Sequence, residues 1–200
     1  AGIKIGVISD GVDNIASAVS SGDLPAGVTV LSNSEGGDEG TAMLEIIYDM
    51  TPNASLYFHD AGSNTVAFNS AIDDLVAAGV NVIVDDIGWI TEPFFEDGTG
   101  TTAPHVASIL ASNNIVYVSS AGNSGDAGDG NGHYQGVYYN DGINFHDFSR
   151  NPATNDYLYL NIPNNGEVRI ILQWNDSFGS SGNDYDLKLF NRDGWTMLDS

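Results

Sequence analysis

Across 200 residues, 27 acidic side chains face only 5 basic ones, a formal charge of −22 at pH 7. Such a surface repels nucleic-acid phosphates and anionic membranes, so neither is expected as a partner. The chain has no cysteine, which excludes disulfides, thiolate metal sites and a cysteine nucleophile, while 42% hydrophobic residues can still supply a core.

The predicted elements alternate through the first half of the chain. "IKIGVIS" (3–9) reads as a strand, followed by a helix near 14–20 and a strand at "GVTVLS" (27–32). A helix near 40–49 leads to "ASLYFHD" (54–60), and a helix near 66–78 leads to "NVIVDDIG" (81–88). A last helix near 101–112 precedes "IVYVSSAGN" (115–123). Strands rich in β-branched residues, separated by helices of about ten residues, predict a parallel sheet covered on both faces. From about residue 124 the texture changes to "SGDAGDGNGHYQG" and then to the alternating runs "DYLYLNIP", "GEVRIILQWND" and "DYDLKLFNRDG". These predict an antiparallel β-sandwich or jelly-roll-like segment, its last arm a hairpin. The expected division is therefore an α/β domain over 1–129 and a β-rich inserted or accessory domain over 130–200. No stretch reads as a signal peptide or a membrane span.

Ligands of open parallel sheets bind beyond the carboxyl ends of the strands. Asp10, Glu39, the pair Asp85 and Asp86, and Asn123 all fall at such ends or at the helices that follow. Each has a plain alternative: Asp10 can be a turn or helix-cap carboxylate, Asp38 can cap the next helix, and Asn123 can take a left-handed turn. Their placement on successive sheet edges favours a shared site. Two carboxylates held close, Asp10 and Glu39, suit proton transfer, and the Asn123 amide suits an oxyanion. Alternation along the strand sends only one of Asp85 and Asp86 into a cleft, and Asp86 is the expected one, with Asp85 capping or solvated. The four histidines are too scattered to complete a zinc set. Calcium is the one ion the acidic residues could take, through Asp126, Asp129 and Asn131 or through Asp184 and Asp186. No cofactor is otherwise required.

These residues carry a resemblance. "IKIGVISDGVD" resembles the first strand of subtilisin-like serine peptidases with its catalytic aspartate, here Asp10. "GDEGTAMLEIIYDMTPNASL" resembles their glycine-histidine-glycine-threonine helix, with Glu39 at the place of the base histidine. "VIVDDIG" resembles the strand lining the substrate cleft, which implicates Asp86 and Gly88 in substrate binding. "VYVSSAGNSG" resembles the alanine-glycine-asparagine segment, with Asn123 as the oxyanion-hole residue. The motifs come in the family's order over residues 3–125, and the helix resembles that of a bacterial subgroup. Sedolisins, acid-adapted relatives on the same fold, also use a glutamate base, but theirs is backed by an aspartate one helical turn on, where this chain has Met43, and they tend to carry aspartate where this chain has Asn123.

The resemblance implies a secreted bacterial endopeptidase acting on protein or peptide substrates. The family's serine lies in a glycine-threonine-serine segment. "DGTGTTAPHVASIL" places Gly100 there, but this stretch precedes the Asn123 strand, where the family has an ordinary connecting helix. The nucleophile is therefore expected beyond residue 200, in the remainder of the polypeptide, leaving this chain inactive alone. The tail resembles jelly-roll domains appended to some of these enzymes. Two other readings stay open: a non-catalytic peptide- or surface-binding module that keeps the fold, and glycoside hydrolysis by the carboxylate pair, with Trp89, Phe94 and Phe95 as sugar platforms.

Overall fold

The computed structural model describes residues 2–95, 98–123, 132–142, 144–148, 157–162, 164–191 and 196–199. Nine elements follow one another from the start: β1 (Lys4–Ser9), α1 (Ile15–Ser21), β2 (Thr29–Ser32), α2 (Glu39–Met50), β3 (Ser55–Asp60), α3 (Thr65–Ala77), β4 (Val82–Asp85), α4 (Thr102–Ser112) and β5 (Val116–Ser119). The five strands form one parallel sheet in the order β2-β3-β1-β4-β5. This is the predicted β-α alternation.

Strand alternation sorts the core into two clusters. Ile5 and Val7 of β1, Leu56 and Phe58 of β3, and Val82 and Val84 of β4 face α1 and α2, meeting Ala18 and Leu44. The intervening Ile8, Tyr57 and Ile83 face α3 and α4, meeting Phe68, Ala71, Ile72 and Leu75. The α3 residues recur at helical spacing, which lays one apolar stripe on the sheet. The result is three layers, helix on sheet on helix.

One connection breaks the usual hand. The chain moves in opposite directions along the sheet through α1 and through α3 and α4, and these helices lie on opposite faces, so all three crossovers share one hand. The β2–α2–β3 unit moves the same way as α3 and α4 but packs its helix on the α1 face. With the others right-handed, as about 98% of such units are, this one is left-handed. The consequence is local: α2 lies beside α1, and its first turn comes up against the end of β1.

Helix ends follow their sequence signals. α1 stops at Gly22, which takes the left-handed conformation (φ 94°) and returns its N–H to the Ala18 carbonyl. α2 stops at Thr51 ahead of Pro52, a residue pair that resists further helix. α3 starts at Asn64, whose side-chain oxygen accepts from the Val66 and Ala67 amides at 3.0 Å each. Asn64→Ala is expected to lower stability by about 1 kcal/mol, the usual worth of such a cap, seen as a lower thermal midpoint with an unchanged sheet signature in circular dichroism.

Past β5 the chain divides into compact units, Ala1–Gly122 with Leu172–Ser200 in one and Asn123–Ile171 in the other. In the first unit, β6 (Leu189–Phe190) pairs antiparallel with β7 (Met197–Asp199), where a hairpin arm was predicted. Gln173 ties this unit together, accepting from the Phe94 amide at 2.7 Å and donating to the Glu92 carbonyl at 2.8 Å. In the second unit, His146 stacks on Tyr138, sits edge-on to Phe148, and hydrogen-bonds Tyr134 Oη through Nε2 at 2.9 Å. Among the described residues, the runs at 157–162 and 164–174 form no ladder, unlike the predicted sandwich strands. No described helix is long and apolar enough to cross a membrane.

Candidate active site

Asp10 is the first residue past β1, and its carboxylate is the hub of the sheet's carboxyl edge. Oδ1 accepts from the Gly11 amide, closing its own turn, and from the Glu39 and Gly40 amides at 2.9 and 3.4 Å. It thus supplies the anion that the first turn of α2 needs. The N-cap residue Asp38 does not do this. Its carboxylate instead takes the Asn14 amide (2.8 Å), the Asn14 side chain (3.1 Å) and the Thr41 hydroxyl (2.7 Å). The expected cap is therefore displaced from Asp38 to Asp10, because a left-handed crossover delivers the helix mouth to the end of β1.

The glycines of "GGDEG" explain how close this approach is. Gly37 has φ 119°, which an ordinary residue resists, and a Cβ there would collide with the Asp10 carboxylate. A Cβ on Gly40 would collide with the Phe58 ring and, at 2.6 Å, with the Gly11 carbonyl oxygen. Glycine at 37 and at 40, bracketing Asp38 and Glu39, is a packing requirement.

Glu39 and Asp10 come together, as their positions on successive β-α units predict. The third member is Asp86, the residue after β4. It continues the Val82, Val84 side of that strand, the side on which α2 lies. Its Oδ2 accepts from the buried Ser9 hydroxyl at 3.0 Å, and its carboxyl is within side-chain hydrogen-bonding reach of Glu39. The Glu39 carboxyl is pushed above the usual glutamate range, first by the Asp86 charge, then by burial, then by Asp10. Asp86 is raised as well, chiefly by burial, with the Ser9 hydrogen bond opposing.

Of the two roles expected for Asp85, capping or solvated, the structure excludes the second. It is 3% exposed, accepts from the Ser119 hydroxyl at 3.0 Å and the Ile87 amide at 3.1 Å, and is raised mainly by burial. The Tyr117 hydroxyl beside it is pushed up by burial and by the Asp85 charge. Gly88 is exposed with open space where a Cβ would stand, leaving that edge accessible. Asn123 is exposed four residues past the end of β5 and opens the second compact unit. The left-handed turn expected there falls on Gly122 (φ 69°).

The segment around Gly100 serves as a helix start. Glu92 Oε2 accepts from the Thr101 and Thr102 amides at 2.7 and 3.1 Å, holding the mouth of α4, the connection from β4 to β5. A Cβ on Gly100 would press on Pro93 at 2.8 Å.

Of the suggested calcium ligands, Asp126, Asp129 and Asn131 lie outside the described residues. Asp186 has Lys188 Nζ at 3.9 Å. Among the described residues no group of three or more His, Asp or Glu, Asp184 included, is arranged to hold a metal ion.

Two carboxylates escaped the sequence reading. Asp60, at the end of β3, is 3% exposed and accepts on Oδ2 from the Ser34 amide and from the Ser32 and Ser34 hydroxyls at 2.7 and 3.0 Å. Burial would raise it, but the Ser34 amide, the two hydroxyls and His59 outweigh that and hold it below the usual range. It pins the loop that leads to "GGDEG". Asp176 gathers the Ser181 hydroxyl, the Gly182 and Asn183 amides and the Asn183 side chain on one oxygen, which brings it down to about 2. Asp176 also lines a concavity of about 190 Å³ with Phe95, Leu172, Trp174 and Phe178, in which Asp10, Glu39 and Asp86 take no part.

No protein-family model matches the chain, and a search of curated proteins returns no match.

Proposed function

We propose that the chain is the N-terminal part of a subtilisin-like serine endopeptidase that uses Glu39 where that family has its base histidine. The observation that carries this reading is the junction of Asp10 with the first turn of α2, which puts two carboxylates from separate β-α units at one sheet edge. Asp10 and Glu39 would move the proton of a serine hydroxyl supplied from outside these 200 residues. Asn123 would donate to the tetrahedral oxyanion, and a protein or peptide substrate would lie extended along the open edge at Gly88. The segment holding Gly100, being the β4–β5 helix start, is assigned no nucleophilic role. In this reading the protein is secreted.

The test is a fluorophosphonate probe on the complete polypeptide, followed by peptide mapping. A labelled serine outside residues 1–200, with loss of cleavage of an unfolded protein, is the expected result. Cleavage that survives the probe, or a label within residues 1–200, overturns the assignment. The alternative of a non-catalytic peptide- or surface-binding module is favoured by one feature: Asp10 Oδ1 is engaged by three backbone amides, a duty that needs no chemistry. A complete protein that takes no label and cleaves nothing supports that alternative.

A further inference from the structure

Asp86 has one oxygen accounted for and one not. Oδ2 accepts from Ser9, whereas Oδ1 is buried and has no hydrogen-bond donor among the described residues. A buried carboxylate oxygen without a donor is costly, and native structures rarely leave one so. The β1–β4 register and the Ser9 and Asp10 bonds bring Asp86 and Glu39 to one sheet edge, and besides Asp86's own amide the group that reaches this carboxyl is another acid, Glu39. Two ionised carboxylates cannot bond each other, but one proton between them satisfies both.

Among the described residues no cation is paired with either acid to do the task instead. Asp10, on the loop after β1, is a third acid and adds to the repulsion. Asp85 on β4 is turned to Ser119 and Ile87. On the loops packed against α2, Asp13 accepts from Gly37 and Asn33, and Asp38 from Asn14 and Thr41. The ion pairs among the described residues involve His59, His105 and Lys188 and reach none of Asp10, Glu39 and Asp86.

We propose that Glu39 and Asp86 hold a single proton between them, Glu39 donating and Asp86 accepting, which makes Asp86 the positioning residue for Glu39. The raised affinity of both groups for protons agrees with this. The pair then plays the part that Met43, one turn along α2 and packed into the core, cannot. Resting on the peptidase reading, the pair has room for one more proton. Glu39 would pass its proton to Asp86 as it takes the proton of a serine hydroxyl, which brings the pair from one proton and a single negative charge to two protons and none, and the leaving amine would take one proton back.

The test is carboxyl 13C NMR titration of the complete protein labelled in Asp and Glu side chains, with the two resonances assigned from Glu39→Gln and Asp86→Asn spectra. Expected in the wild type is a Glu39 midpoint above that of a glutamate in an unfolded peptide. Asp86→Asn is expected to bring that midpoint down towards the peptide value. If Asp86→Asn does not fold, Asp86→Ser decides in its place, with the Glu39 midpoint again expected to fall towards the peptide value. A Glu39 midpoint at the peptide value in the wild type, or midpoints that ignore removal of the partner, overturns the proposal. These titrations need no turnover, so a negative fluorophosphonate result would remove the peptidase reading and leave the proton-sharing result standing.

Discussion

In the peptidase reading, Glu39→Gln is expected to lower kcat/KM of the complete polypeptide by about 10²-fold or more, the usual cost of removing a general base. The amide is nearly isosteric and keeps the backbone N–H that Asp10 accepts, so the loss would come from proton transfer and not from the frame. Stability should move the other way. The folded Glu39 carboxyl is raised, so its ionised form is disfavoured by folding. That penalty is absent below the unfolded glutamate pKa, grows as pH rises towards the folded one, and is fully present above it. The glutamine variant should therefore melt no lower than the wild type at neutral pH, and any advantage should vanish in acid. A pH profile of the wild type should fall in acid, as the Glu39–Asp86 pair takes its second proton, and fall again where the shared proton is lost, with its optimum on the acid side of an imidazole-based enzyme, and Glu39→His should move the acid limb upward. Full activity in Glu39→Gln from pH 4 to 9 would end the assignment of Glu39 as base.

Phe58→Ala is expected to cost about 3–5 kcal/mol, a large share of the 5–15 kcal/mol typical of a whole domain. Phe58 is 0% exposed, lies in the cluster between β1, β3 and α2, and closes over the position of the Gly40 Cβ. Truncation opens a cavity under the first turn of α2, at Gly40. Urea denaturation should show a lower midpoint with little change in slope. A loss under 1 kcal/mol would mean that the helix mouth does not rest on this ring.

The first half of the chain was readable because its signals are local. "IKIGVIS" and "ASLYFHD" alternate as strands do, and Phe68, Ala71, Ile72 and Leu75 recur as a helix face does. Their grammar needs no knowledge of what packs on them. The convergence of Asp10 and Glu39 was likewise legible, since both follow from β-α order. What was not legible depended on topology. Alternation separated Asp86 from Asp85, and the structure places Asp86 on the Val82, Val84 side with Ser9 as its hydroxyl partner. Alternation could not say that α2 crosses with the unusual hand and brings Glu39 to Asp86, 47 positions away in sequence. The combined signal, Val82, Val84 and Asp86 on one side of β4, was present but meant nothing until α2 was assigned to that side. The tail shows the opposite failure. Runs such as "DYLYLNIP" alternate locally, yet a strand exists only when a partner completes its ladder, and Tyr159 there remains 77% exposed.

The bond from Asp10 to the amide of residue 39 reads the main chain, and every residue except proline offers the same amide. The junction is in that sense a socket, indifferent to what is plugged into it. A lineage could exchange one proton carrier for another at position 39 without rebuilding the strand, the glycines or the helix. The change would be felt at Asp86, which would face an imidazolium as a counter-ion where it now faces a fellow acid.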